Sequence, residues 1–139
     1  MPNDTYPCSP KIETDGLPYF ARMCDKIRLH AAGELPMDLR ENLGLAMDAW
    51  TCQFLGVDYE SLKQFVLSGK TDQETLEWAT NVGTQRTDYE RYWWCSYMRN
   101  TGFQDFLSSR LKERIEESGL GDRTDILTMF DYIDADEGR

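Results

Sequence analysis

Five ionisable side chains crowd into the stretch FARMCDKIRLH, residues 20–30, and are the residues of this chain best suited to chemistry. They are Arg22, Asp25, Lys26, Arg28 and His30. On a helix, residues three or four apart lie on one face, which places Arg22 beside Asp25 and Lys26. With three basic residues against one acidic, the segment has a formal charge of +2 in a chain of net charge -10. Such a face is suited to bind a small anionic molecule or an acidic protein segment.

A second interpretation is a metal-free enzyme. Asp25 or His30 would then act as the acid or base. Arg22 or Lys26 would bind an anionic group of the substrate, and a tyrosine such as Tyr92 would assist.

A third interpretation is a structural adaptor with no ligand, in which the charges of the first helix serve only to hold it in place. Residues 122–139 carry six acidic residues against two arginines, and Asp131 or Asp134 would then close an ion network with the helix. Leu29 lies among the charged residues, so this face of the helix is expected to be partly covered. A cavity beside Arg22 would favour the ligand or enzyme interpretations instead.

An aromatic cluster occurs in DYERYWWCSYMRN, residues 88–100. Its members are Tyr89, Tyr92, Trp93, Trp94 and Tyr97. Because this segment is apolar nearly all round at helical spacing, it is predicted to be a central helix whose rings fill the core. Tyr92 and Trp93 are retained as ligand-binding candidates, because such rings also line pockets for flat or cationic ligands.

Motifs for metal and cofactor chemistry are missing from the sequence. It has a single histidine, no HExxH and no paired CxxC, and DYIDADEGR matches only part of a calcium-binding loop. No GxGxxG or phosphate-binding loop occurs either. We therefore predict no metal and no cofactor. Cys8, Cys24, Cys52 and Cys95 are predicted to be free, mostly buried thiols.

Composition sets further limits on partners and location. The 139 residues are 40% hydrophobic, which is typical of one globular domain. The strongly acidic balance argues against nucleic acid as the main partner. No apolar run is long enough to span a membrane, and the N-terminus MPNDTYPCSP does not resemble a signal peptide, so a cytoplasmic location is expected. A homodimer is compatible with the sequence, which contains no heptad run that would fix the oligomeric state.

The chain that must position these residues is predicted to be all-α. Residues 1–16 are expected to form an extended arm, and residues 17–139 a single helical domain. The domain would be a compact orthogonal bundle of about six or seven short helices. Since no alternating run bounded by hairpin signals occurs, no β-sheet is predicted.

Punctuation residues predict where these helices begin and end. The first is expected from Leu17 to Gly33, and the second over residues 43–55. Four later helices are expected to begin at N-terminal caps. The predicted caps are Asp58, Thr71, Thr87 and Thr101, and Asp122 is predicted to cap a seventh helix.

A resemblance is carried by three segments, LPYFARMCDKIRLHAAGEL, FLGVDYESLKQFVLSGKTDQETLEWA and DRTDILTMFDYIDADEGR. They resemble a bacterial family that shares a domain of unknown function, DUF5069. The pattern that opens its first helix is matched here by Leu17, Pro18, Arg22, Met23, Asp25 and Lys26. Later steps are matched by Ala31, Ala32 and Gly33, by Phe54, Gly56, Val57 and Asp58, and by Leu76, Glu77 and Trp78. The resemblance implies a fold unit without a known activity, in which the first-helix charges are a buried ion network or a binding site.

Overall fold

The computed structural model describes residues 5–139, so the first four residues of the predicted arm lie outside it. Over this range the chain forms eight helices and a two-stranded antiparallel ribbon, in which Glu13 pairs with Pro18 and Thr14 with Leu17. The elements are β1 (Glu13–Thr14), β2 (Leu17–Pro18), α1 (Phe20–Ala31), α2 (Met37–Arg40), α3 (Met47–Leu55), α4 (Tyr59–Leu67), α5 (Asp72–Val82), α6 (Asp88–Asn100), α7 (Ser108–Glu117) and α8 (Met129–Asp136). The predicted all-α fold is confirmed, but the expectation of no β-sheet is wrong for the short ribbon, in which only two residues of each strand pair.

Three helix starts follow the predicted capping residues. Asp58 accepts the Ser61 backbone N–H at the start of α4. Thr71 and Thr87 each form a complete capping box at the starts of α5 and α6. These bonds satisfy backbone donors that a helix N-terminus otherwise leaves free, which is why polar residues at these positions predict the starts well.

The two capping boxes make the stability of the fold sensitive to acid. Glu74 accepts the Thr71 backbone N–H at 3.0 Å, and Glu90 accepts that of Thr87 at 2.9 Å. These backbone hydrogen bonds hold the pKa of both glutamates below the ordinary value of 4.5. As the pH falls through this range, the unfolded chain takes up protons before the folded chain does, so the contribution of the caps is lost.

We therefore expect the free energy of unfolding to decrease between about pH 5 and pH 3, measured by urea denaturation at each pH. A variant carrying both Glu74→Gln and Glu90→Gln keeps the box geometry but cannot titrate at these positions. It should show a flatter pH dependence than the wild type. An unchanged slope in this variant would show that the two caps do not contribute to the acid sensitivity.

The first helix starts later than predicted. The sequence predicts a start at Leu17, but α1 begins at Phe20, because Leu17 and Pro18 belong to the ribbon. Between ribbon and helix, Tyr19 has a left-handed backbone with φ of 69°, which interrupts the helical path. The helix ends as predicted just before Gly33, whose φ of 74° suits the reversal of the chain.

The prediction that the aromatic helix is central is wrong. In α6 the buried residues are Cys95 and Met98, whereas Tyr89, Tyr92 and Trp93 are 71%, 64% and 68% exposed. The helix packs on β2 and α8 and leaves its aromatic side open. Periodicity counts apolar rings but does not reveal whether a neighbouring element covers them, and tyrosine and tryptophan tolerate partial exposure.

The predicted start of the sixth helix at Thr101 is also wrong. Thr101 ends α6 instead, and its hydroxyl donates to the Tyr97 carbonyl at 2.6 Å. The following turn is held by Asp105, which accepts the Gly102 N–H at 2.9 Å. Helix α7 therefore begins only at Ser108. The TGFQ pattern, residues 101–104, resembles a capping box, but the carboxylate of Asp105 stabilises a turn there instead.

Two other boundaries differ from prediction. Asp122 does not cap the last helix, because α8 begins at Met129, where Thr128 accepts the Asp131 N–H at 3.1 Å. The second predicted helix, residues 43–55, is shortened to α3 and preceded by a turn in which Leu45 is 57% exposed. Both errors come from extending a helical pattern into a polar or turn-forming segment.

The hydrophobic core is formed by the inward faces of six helices, α1, α3, α4, α5, α6 and α8. Its largest fully buried side chains include Phe20, Met23, Leu62, Met98 and Phe130. Close packing requires glycine at position 83, where a Cβ would lie 2.0 Å from the Leu55 carbonyl oxygen. Within the described residues, no helix is long and apolar enough to cross a membrane.

Candidate functional site

Two of the predicted site cations are buried. Arg22 is 3% exposed and Lys26 is 5% exposed, although both lie on the polar side of α1. The prediction that this second face of the helix is partly covered is therefore confirmed. Buried charges require partners, and the structure gives Arg22 and Lys26 different ones.

Lys26 belongs to a buried cluster that we call the Tyr19–Lys26–Asp48 network. Its Nζ donates to Asp48 Oδ1 at 3.0 Å and to the Tyr19 hydroxyl oxygen at 3.2 Å. The Tyr19 hydroxyl donates to the same carboxylate oxygen at 2.6 Å. The Gly44 backbone N–H donates to Asp48 Oδ2 at 3.0 Å, so both oxygens of this fully buried carboxylate are bonded.

Burial is the largest influence on the pKa values of Lys26 and Tyr19. Removal from water lowers the pKa of Lys26, although the Asp48 carboxylate favours its charged form. Burial and the same carboxylate raise the pKa of Tyr19, which keeps this hydroxyl protonated as a donor. The network thus contains an ammonium that loses its proton more readily than an exposed lysine, with its Nζ 3.0 Å from a carboxylate oxygen of Asp48.

Arg22 is held by the C-terminal end of the chain. Its guanidinium donates to both carboxylate oxygens of Glu137, at 2.9 and 2.6 Å, and both side chains are 4% exposed. Arg139 pairs with the same carboxylate at 2.6 Å and donates to the Pro7 carbonyl. The ion contact expected between the first helix and the C-terminal region is present, but its acid is Glu137. Asp131 pairs instead with Lys11.

Asp25, Arg28 and His30, the other charged or titratable residues predicted on the first helix, form no hydrogen bond or ion pair with Lys26 or Glu137. Asp25 accepts the Cys8 backbone N–H at 3.1 Å and pairs with Arg28, which also binds Asp72 at 2.7 Å. His30 is exposed and borders a different cavity. The structure therefore separates Asp25 and His30, the two acid–base candidates, from Lys26.

A cavity of about 290 Å³, which we call the Lys26 cavity, lies between α1, α2, α7 and α8. Its inner end is formed by the buried side chains of Tyr19, Arg22 and Lys26. Its apolar wall is formed by Leu39, Leu45, Met47, Met129 and Ile133. A concave apolar wall with a few convergent polar groups is the usual composition of a small-molecule site.

The exposed mouth of the Lys26 cavity carries two arginines of α7, one turn apart. Arg110 pairs with Glu113 at 3.0 Å. Arg114 also lines the cavity, and the structure gives its guanidinium no ion pair within residues 5–139. An unpaired exposed guanidinium is a ready partner for a carboxylate or phosphate.

Backbone strain is concentrated at the same cavity. Among residues 5–139, four non-glycine residues have positive φ, and two of them, Tyr19 and Ala46, line it. Each such residue costs on the order of 1–3 kcal/mol, which the surrounding structure has to offset. Strain of this kind clusters at binding sites, where it aims side chains at a ligand.

Four members of this arrangement, Tyr19, Asp48, Arg110 and Arg114, were not among the site residues predicted from the sequence. Tyr19 and Asp48 lie 29 residues apart, and no local spacing connects them. The one available signal was the pair Arg110 and Arg114, which lie at i,i+4 on one face of α7. Tyr92 and Trp93, which were predicted to bind ligand, do not line the Lys26 cavity.

Burial lowers the reactivity of the cysteine thiols. The four cysteines are free, as predicted, and burial raises the pKa of the Cys52 and Cys8 thiols to about 12. Such thiols are poor nucleophiles at neutral pH. Over the part of the chain described, no three His, Cys, Asp or Glu side chains are grouped to hold a metal ion.

The fold and site define a class: a small all-α protein with a buried Lys–Tyr–Asp network at the inner end of a cavity. Comparison with family models then identifies the family. Residues 4–139 match the model described as "Domain of unknown function (DUF5069)", and the chain belongs to this family. This confirms the resemblance drawn from the sequence. A search of the curated proteins finds no match to the chain.

Proposed function

We propose that this protein binds a small anionic molecule in the Lys26 cavity. The observation that carries the proposal is the buried Lys26 ammonium at the inner end of a cavity whose mouth holds Arg114, a residue without an ion pair within residues 5–139. A buried titratable group that has a specific charged partner and lines a cavity is typical of functional sites. The predicted interaction face of the first helix thus becomes an inner surface, reached through the cavity.

One cation of the cavity is left for an anion. Arg22 pairs with Glu137, Lys26 with Asp48 and Arg110 with Glu113, whereas Arg114 has no ion pair within residues 5–139. An ammonium carries three N–H groups, and the network gives Lys26 two acceptors. The third N–H is the group we assign to the ligand, with Arg114 as the second contact.

Isothermal titration with lactate, succinate, citrate and inorganic phosphate tests the proposal. The variant Arg114→Gln should weaken binding of the best anion by roughly tenfold, the loss of one charge-assisted hydrogen bond. The matched control is Lys112→Gln, which removes the same charge from an exposed position of the same helix outside the cavity. Equal weakening by both variants would indicate general electrostatic attraction, and no binding of any anion would refute the proposal.

The exposed aromatic side of α6 favours a second role, association with a second copy of this chain. Tyr92 and Trp93 lie on this side, and Tyr97 and Phe106 are also exposed. Trp50, which is partly buried against the core, contacts both Tyr97 at 6.1 Å and Phe106 at 6.4 Å. Exposed tyrosine and tryptophan are enriched at protein interfaces.

If α6 forms a dimer interface, Trp93→Glu should abolish it, because a charge would be buried against aromatic rings. Sedimentation equilibrium over a range of concentrations gives the mass. The control is Val82→Glu, an exposed apolar residue on α5. A wild-type protein that stays monomeric at high concentration would exclude this role without affecting the cavity.

A further inference from the structure

The Tyr19–Lys26–Asp48 network contains the parts required for covalent chemistry at a lysine amine. We infer that Lys26 forms an imine with small oxo acids, compounds that carry both an aldehyde or ketone and a carboxylate. This inference rests on the proposed binding of an anion in the Lys26 cavity. It assigns to Lys26 a nucleophilic role in place of the simple charge contact.

Asp48 is placed to act as the base for the Lys26 amine. Asp48 Oδ1 lies 3.0 Å from Lys26 Nζ, within reach for direct proton transfer. Burial of Lys26 favours the neutral amine, the form that attacks a carbonyl. The four other lysines of the chain are more exposed than Lys26 and lack this setting.

Both functional groups of an oxo acid have a partner among the residues that line the cavity. Lys26 supplies the amine for the carbonyl, and Arg114 supplies a guanidinium for the carboxylate. A volume of about 290 Å³ accommodates a compound of this size. Tyr19, which also lines the inner end, donates its single hydroxyl proton to Asp48 at 2.6 Å and so orients the carboxylate that serves as the base.

The reaction balances without an oxidant or reductant. One proton passes from Nζ to Asp48, and the nitrogen lone pair forms a C–N bond while the carbonyl π electrons move to oxygen. A second proton moves from nitrogen to that oxygen and gives a carbinolamine. Asp48 then returns its proton to the hydroxyl, the C–O bond breaks, and one water leaves a protonated C=N bond. The positive charge on nitrogen is kept, so its pairing with Asp48 survives.

Reductive trapping tests this inference on the intact wild-type protein. The protein is incubated with glyoxylate or pyruvate and sodium cyanoborohydride, and the modified lysine is located by peptide mass mapping. We expect one adduct per chain, on Lys26, at roughly tenfold or more the yield at any other lysine, because Asp48 lies within reach to act as a base for this amine. Lactate, which has a hydroxyl in place of the pyruvate carbonyl, should form no adduct and should suppress that of pyruvate.

Three results would separate the two claims. Binding of pyruvate and lactate by calorimetry without a Lys26 adduct, or with adducts spread over the exposed lysines, overturns the imine and leaves the binding proposal intact. Neither heat nor adduct with these compounds overturns the imine, and the titrations with succinate, citrate and phosphate then decide the binding proposal separately. Lys26→Arg should remove the adduct, and the exposed control Lys112→Arg should keep it.

Discussion

Lys26→Met is expected to lower the free energy of unfolding by about 3–5 kcal/mol, the usual cost of leaving one charge of a buried pair without its partner. Asp48 is fully buried, and its remaining donors, the Tyr19 hydroxyl and the Gly44 N–H, are neutral. Urea denaturation followed by circular dichroism measures the loss.

The double variant Lys26→Met with Asp48→Asn distinguishes an ion network from simple packing. Because it removes the stranded charge and keeps a side-chain oxygen for Tyr19, its destabilisation should be smaller than the sum of the single variants. Lys112→Met, on the exposed side of α7, should change stability by less than about 0.5 kcal/mol. Additive losses in the double variant would show that Lys26 and Asp48 are not coupled.

Glu137→Gln is expected to destabilise the protein by about 3 kcal/mol, since it leaves the buried Arg22 guanidinium without a countercharge. The bidentate bonds to Glu137 tie α1 to the C-terminal end of the chain, and Arg139 shares the same carboxylate. Urea denaturation again gives the magnitude. Hydrogen exchange should also show faster opening of α8 in the variant than in the wild type.

The neighbouring residue provides the control for this effect. Asp136 is exposed, and Asp136→Asn removes one negative charge without stranding a buried cation. Its stability should stay within about 0.5 kcal/mol of the wild type. Equal effects of the two substitutions would mean that the Arg22–Glu137 pair adds nothing beyond general charge.

The sequence predicted helix boundaries correctly where they depend on residues close together in the chain. The capping boxes at Thr71 and Thr87 depend on residues three apart, so the sequence alone identified the starts of α5 and α6. The exposure of Trp93 depends on which elements happen to cover α6, and no periodicity contains that information. The misplaced start of α7 has the same origin, because the turn after Thr101 competes with the cap that the sequence resembles.

From the sequence, the helix that carries the candidate site could be predicted, but the partners of its charged residues could not. The cluster of charges around Arg22 and Lys26 singled out the right helix. Their partners Asp48 and Glu137 lie 22 and 115 residues away, so the division of the cluster into separate networks required the tertiary structure. Spacing placed Asp25 beside Arg22, yet Asp25 accepts the Cys8 backbone N–H and pairs with Arg28 instead.

A crystal structure grown with the tightest-binding compound of the titration panel would show whether the Lys26 cavity binds an anion. We predict that the anion lies within hydrogen-bond distance of Lys26 Nζ or the Arg114 guanidinium, against the apolar wall that includes Met47. A second basic cavity, lined by Lys11 and Arg99, is the built-in comparison. An anion bound there, with the Lys26 cavity empty, would contradict the account.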